Sequence, residues 1–200
     1  MAAGRRCRHP WRREGSRSMS LFGRTVVIIG AGTAIGQEAA RRAKGEGAQL
    51  ILTDSHTGPL EDMAEEIGVE ATAAFDESDV EQLAEFLDRL PGHVDHMLFD
   101  LARARRAVDR LLLPIATACY ARREMCGGGS LVFVAEDALP SHIAHLAAEA
   151  APVRVNLITG ARADDVAALA VRVMTDIAVT GAVLDLEVNP GTRRAGSGAS

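Results

Sequence analysis

Apolar residues in this chain gather into seven short runs, and the stretches between them carry helical spacing. Thr25-Val26-Val27-Ile28-Ile29 is β-branched throughout and has no charge. A strand covered on both faces has no polar side, so such a run reads as buried and parallel. Runs of similar character occupy residues 48–53, 69–75, 94–101, 130–135, 153–158 and 182–187. The intervening segments predict helices. One follows Gly36, from Gln37 to Lys44, and one spans residues 60–67 after the turn His56-Thr57-Gly58-Pro59 and ends at Gly68. Asp79 caps a third, whose apolar Val80, Leu83, Phe86, Leu87 and Leu90 recur at helical intervals. A long helix over roughly 103–125 contains Pro114, which should kink or break it. A short one lies around 142–150, and the last opens at Asp164 or Asp165 and runs to about Val179. Strict alternation of strand and helix demands a doubly wound α/β domain: a Rossmann-type parallel sheet of about seven strands with helices on both faces.

The first strand ends in Gly30-Ala31-Gly32-Thr33-Ala34-Ile35-Gly36 and passes directly into a helix. Glycines let the backbone approach an anion, and the helix start presents N–H groups and partial positive charge to it. The third glycine of G-x-G-x-x-G would fall on Ile35, so that fingerprint fails by one residue. A tight turn with no ligand is the plain alternative. Asp54 closes the second strand 24 positions after Gly30. An acid near that spacing binds the adenosine ribose hydroxyls of a dinucleotide and repels a 2′-phosphate, which favours NAD over NADP. Asp54 also suits an ordinary strand-end turn. A bulky residue at Gly30 or Gly36 is expected to abolish binding and leave the sheet intact.

Composition narrows the setting. Two hundred residues at 48% hydrophobic content suit one domain with a sizeable core. No apolar run approaches the length of a membrane span, so no membrane partner is expected. Cys7, Cys119 and Cys126 are odd in number and lack metal or redox spacing, which points to a reduced, cytoplasmic setting and no metal. Residues 1–20 hold six of the 22 Lys+Arg and one of the 27 Asp+Glu. The acidic remainder is a poor surface for nucleic acid. That basic leader has no periodicity. It reads as a disordered extension from a start assigned too early, with an organellar transit peptide or a nucleic-acid arm as the alternatives. The Gly/Ser/Arg-rich tail from 189 reads as flexible.

Five segments in order resemble the short-chain dehydrogenase/reductase family over about residues 21–188. The glycine turn is similar to T-G-x-x-x-G-I-G, with Ile29 for Thr and Ala34 for the middle glycine. Asp76-Glu77-Ser78-Asp79-Val80 resembles the acidic segment that contacts adenine. Gly128 to Val134 resembles G-G-S-I-V-x-I, Val153 to Gly160 resembles I-R-V-N-x-x-x-P-G, and Val179 to Leu186 resembles V-T-G-x-x-L-x-V-D. The resemblance implies an NAD(P)-dependent oxidoreductase acting on a small molecule. It also implies a homo-oligomer, and a cofactor site made of Gly30, Gly32, Thr33, Ile35, Gly36, Asp54, Asp76 and Asp100, the last standing where the family has N-N-A-G.

The family's catalytic motif, Y-x-x-x-K, is missing. The one tyrosine, Tyr120, is followed four residues on by Glu124, and the one lysine, Lys44, lies in the first helix. Matching Ser141 to Ala148 onto Y-S-A-S-K-A-A puts Ser141 at the Tyr and His145 at the Lys, and the catalytic serine's place falls near Glu136. Glu136, Ser141 and His145 are therefore the weak catalytic candidates, with His142 nearby. A replaced acid and a non-catalytic dinucleotide-binding module, serving as sensor or partner subunit, are the two readings.

Overall fold

The computed structural model describes residues 21–69, 71–91, 93–104, 106–125, 127–135, 140–175 and 178–186. The leader 1–20, the tail and Glu136 lie outside them. Seven strands are β1 (Thr25–Ile29), β2 (Gln49–Asp54), β3 (Ala71–Ala74), β4 (His96–Asp100), β5 (Ser130–Val134), β6 (Arg154–Thr159) and β7 (Val183–Asp185). Six α-helices alternate with them: α1 (Ala34–Gly45), α2 (Thr57–Ile67), α3 (Val80–Arg89), α4 (Ala107–Glu124), α5 (Pro140–Ala150) and α6 (Ala163–Thr175). All pairings are parallel and the sheet order is β3-β2-β1-β4-β5-β6-β7. The order reverses between β1 and β4, so the crevice for a ligand opens above Ile29 and Asp100.

Period-two alternation sends successive side chains to opposite faces and builds two separate cores. Val26, Ile28, Leu98, Val132 and Ile158 pack with Ala39, Ala40 and Ala43 of α1, Leu60 and Met63 of α2, and Val166 and Ala170 of α6. Val27, Ile29, Phe99, Phe133 and Leu157 pack with α3, α4 and α5 through Leu83, Phe86, Leu113, Tyr120, Ile143 and Leu146. The small residues of α1 let it lie close to the sheet and to α6.

The structure corrects several boundaries. α2 begins at Thr57, so the expected turn is the helix's own first turn. Pro59 is accommodated there because its missing N–H would have no intrahelical acceptor. β3 is four residues long and largely exposed, since it forms the sheet edge and pairs on one side only. α4 runs unbroken through Pro114, held by the burial of Leu113, Thr117, Ala118 and Ala121 against the core. α6 is described over Ala163–Thr175 and residues 178–180 lie outside any helix, so it stops short of Val179. Asp79 caps α3 as expected, accepting the N–H groups of Glu81 and Gln82.

The amino edge of the sheet holds a polar knot with no part in the crevice. Asp95 accepts from the Arg24 guanidinium at 2.7 Å and from the Thr25 N–H at 3.0 Å. Beside it the buried His96 imidazole lies 3.0 Å from Ser130 Oγ through Nδ1. Burial pushes this imidazole down to about 4, against the upward pull of the Asp95 carboxylate. The folded chain therefore keeps His96 neutral where an unfolded one takes up a proton. Its contribution to stability is complete above about pH 6.5 and is lost as pH falls toward 4, by about 3 kcal/mol. Urea unfolding between pH 7.5 and 4.5 should show the stability gap between the wild type and His96→Gln closing toward acid. A gap independent of pH would place the acid sensitivity elsewhere.

Tyr120 is 2% exposed, and its hydroxyl has no hydrogen-bond partner among the described residues. Removing a buried orphan hydroxyl relieves its desolvation. Tyr120→Phe should therefore leave stability unchanged or raise it by about 1 kcal/mol in chemical denaturation.

Candidate functional site

The carboxyl end of β1 turns into α1 through a contact that only glycine permits. Gly30 has φ +87°, and a Cβ on Gly36 would fall on the carbonyl oxygen of Gly30. The helix start thus rests directly on the strand end. Thr33 is the N-cap: its hydroxyl accepts the Gly36 N–H at 2.9 Å and donates to Asp100 Oδ2 at 2.6 Å. A hydroxyl has one proton, so the carboxylate at 2.6 Å fixes its direction in preference to the Gly30 carbonyl at 2.9 Å. The first helical amides, those of Ala34 and Ile35, precede any intrahelical acceptor. Amides at a helix start are free to meet an anion.

Three buried carboxylates surround this turn. Asp54 is wholly buried, its Oδ2 accepting the Gly32 N–H at 2.8 Å and its Oδ1 the His56 N–H at 3.0 Å. A Cβ on Gly32 would fall on that carboxylate, which explains the glycine. Asp100 accepts the Ala102 N–H at 3.0 Å as well as the Thr33 hydroxyl. Glu77, 2% exposed, accepts the Gly30 N–H at 2.7 Å, with the Thr53 hydroxyl 3.3 Å from the same oxygen. Sequence reasoning missed Glu77. It chose Asp76, which is exposed and whose carboxylate caps its own turn through the N–H and hydroxyl of Ser78. The only signal was an acid adjacent to Asp76, indistinguishable from a solvated run.

The structure thus brings Gly30, Gly32, Thr33, Ile35, Gly36, Asp54 and Asp100 together, with Asp76 at the rim. The geometry fits a dinucleotide pyrophosphate at the amides of Ala34 and Ile35. Asp54 is engaged with Gly32, so a ribose would meet it only after the carboxylate turns outward.

Of the catalytic candidates, Glu136 lies outside the described residues, Ser141 is the second residue of α5, and His145, like the nearby His142, is exposed on that helix. The two histidines line a cavity of about 290 Å³ between α4 and α5, together with Arg110. Tyr120 stands apart, inside the core. Burial pushes its phenol up to about 12, with Glu124 and Asp88 adding to the rise. Among the described residues no group of three His, Cys, Asp or Glu is placed to hold a metal ion, and no helix is long and apolar enough to cross a membrane.

Residues 134–186 match the model of the short chain dehydrogenase-like proteins. Residues 2–84 match the NAD-binding domain of D-isomer specific 2-hydroxyacid dehydrogenases, another nucleotide-binding α/β unit. No curated protein matches in sequence. Among solved structures, BdcA from E. coli overlays with a TM-score of 0.74 at 22% identity, covering 84% of this chain and 100% of that one. An enoyl-(acyl-carrier-protein) reductase from Anaplasma phagocytophilum in complex with NAD gives 0.71 at 19%, covering 82% and 90%. A short-chain dehydrogenase/reductase from Serratia marcescens gives 0.70 at 16%, covering 83% and 97%. The chain therefore has the short-chain dehydrogenase/reductase fold, and its carboxyl-terminal third carries that group's sequence pattern.

The expectation that a side chain at Gly36 would spare the fold does not survive this geometry, because the added carbon meets backbone. Gly36→Ala should lower stability by about 1–3 kcal/mol, since α1 must lift from β1. Thermal unfolding measures it, and an unchanged midpoint would show that the turn relaxes freely.

Proposed function

We propose that this chain binds NAD(H) at the glycine turn and is an NAD(P)-dependent oxidoreductase of the short-chain type whose usual acid has been replaced. The observation that supports the reading is the start of α1, capped by Thr33 and packed directly on Gly30 at the end of β1, with its first amides at Ala34 and Ile35. When bound, the nicotinamide supplies or accepts a hydride. The Ala34 and Ile35 amides would hold the pyrophosphate, and Thr33 and Asp100 keep that helix end in register with β4. Asp54 would take the ribose hydroxyls. Like charge at that position disfavours a 2′-phosphate by about 1–4 kcal/mol, giving NAD over NADP. His145, with Ser141 and Glu136 near it in sequence, is the place to look for a proton donor to a small-molecule substrate. A reduced cytoplasmic setting agrees with the free, exposed Cys119. A homo-oligomer would cover the apolar Val108 and Leu112 exposed on α4. The acidic surface offers nothing to nucleic acid.

A second reading, a dinucleotide-binding module without turnover, is favoured by Tyr120. The chain's one phenol is buried in the core with its pKa pushed up, where it can donate to no substrate.

Ala34→Asp separates binding from folding. A carboxylate at the first helical position interacts favourably with the helix dipole, so stability should hold or rise slightly. The same charge would meet the pyrophosphate, so NAD affinity should fall about tenfold or more in calorimetric titration. Unchanged affinity in the folded variant would remove the site from the turn. In parallel titrations NAD should bind more tightly than NADP. Carbonyl reduction with NADH should be slow, since a positioned acid contributes about 10²–10⁴-fold, and it should be insensitive to Tyr120→Phe. A normal rate abolished by His145→Ala would identify the replacement acid and end the module reading.

A further inference from the structure

β3 pairs with β2 alone, and the backbone groups it turns to its open side can be assigned. Phe75 donates its N–H to the Asp54 carbonyl at 3.2 Å. Alternate residues of a parallel strand turn both backbone groups the same way, so Ala71 and Ala73 also face β2. Thr72 and Ala74 then present their N–H and C=O groups outward, and both residues are exposed. Sheet edges are ordinarily blunted by a charge, a proline or a bulge. Ala71-Thr72-Ala73-Ala74 has no charge and no proline, and its register against β2 is regular.

The two faces beside this edge differ in character. On the α3 face lies a groove of about 460 Å³ whose lining includes Ile51, Phe75, Phe86 and Leu90, with Glu85 and Arg89. Phe75 and Phe86 stack with ring centroids 4.9 Å apart, and Glu85 and Arg89 neutralise each other at 3.1 Å. On the other face α1 packs over β1 and β2, and α2 over β2 and β3. Glu66 of α2 pairs with Arg41 of α1 at 3.1 Å, on the side of α2 away from the edge. Helical spacing puts the exposed Glu61 and Glu65 on the opposite flank, toward the edge, and no described cation pairs with them.

We propose that the β3 edge takes an extended basic segment of a partner protein as an eighth strand, its residues alternately cationic and apolar. Bonding to the backbone of Thr72 and Ala74 sets the register. Apolar side chains on one face enter the groove at Phe75 and Phe86, and cationic ones on the other meet Glu61 and Glu65. A second copy of this chain fits poorly, because pairing β3 with β3 sets the acids of two α2 helices beside each other.

Fluorescence anisotropy of the full chain with a labelled hexapeptide, Arg-Val-Arg-Val-Arg-Val, tests this. It should bind about tenfold or more tightly than Glu-Val-Glu-Val-Glu-Val, and more tightly by a similar factor than Arg-Arg-Arg-Val-Val-Val, which has no uniform face. Glu61→Gln with Glu65→Gln should erase most of the preference for the basic peptide. Thr72→Pro removes only an outward N–H, so the sheet should fold and binding should be lost. If that variant does not fold, the wild type decides. N-methylation of one alternate set of peptide amides should abolish binding, and of the other set should spare it. No binding of the basic peptide, equal affinity for the basic and acidic peptides, or binding that survives both methylations overturns the proposal. A dimer of the full chain in sedimentation velocity that dissociates in Thr72→Pro would give the edge to a second copy and overturn it as well.

Discussion

The contact of Gly36 on the Gly30 carbonyl sets the rest of the nucleotide half. Because the α1 backbone can approach β1 this closely, Ala39, Ala40 and Ala43 reach the sheet, and α1 packs against α6 more extensively than any other pair of helices. The same approach sets the start of α1, at Ala34 and Ile35, against the end of β1. Packing and anion recognition therefore share one steric condition, the absence of a single carbon. The two cannot be varied independently at Gly36, whereas two residues earlier in the chain, at Ala34, the side chain is exposed and they can.

Surrounding an anion-binding turn with three carboxylates looks contradictory until their donors are counted. Asp54 and Glu77 each accept a backbone N–H from the turn, Asp100 accepts the Thr33 hydroxyl, and Asp54 and Asp100 close tight turns of their own through His56 and Ala102. A carboxylate near a helix N-terminus is stabilised by the same partial positive charge that attracts phosphate. These side chains satisfy donors that would otherwise be buried and orphaned. A bound dinucleotide then enters a field already populated by acids. On the proposed reading, the amides of Ala34 and Ile35 would be where its phosphates go.

How much of this was legible varies with how local the cause is. Uniform apolar runs such as Thr25–Ile29 and Ser130–Val134 named their strands because burial on both faces leaves no other composition. β3 was read too long because an edge strand lacks the second neighbour that would force a clean apolar run. Pro114 was read as a break because sequence shows the lost N–H and not the core holding the helix on both sides of it. Asp54 was found from its spacing, but its rotation onto Gly32 follows from a glycine 22 positions away. Glu77 and Asp76 are neighbours of the same charge, and only the direction of the chain after β3 decides which turns inward. The cavity between α4 and α5 left no sequence signal, since its walls come from segments some thirty residues apart.

The division of the core lets the two faces of the sheet vary independently. The sheet separates the layer of α1, α2 and α6, which carries the glycine turn, from the layer of α3, α4 and α5, where an acid-bearing helix would stand. A change in the segment around α5 would alter packing in the second layer alone, at Ile143, Leu146 and Ala147. An eleven-residue α5 still rises about 16 Å, close to the length of the strands it connects. The crossover therefore closes, and the first layer is untouched. Loss of the Tyr and Lys is then local to one face of the sheet, and the turn that would receive the dinucleotide has no structural dependence on it.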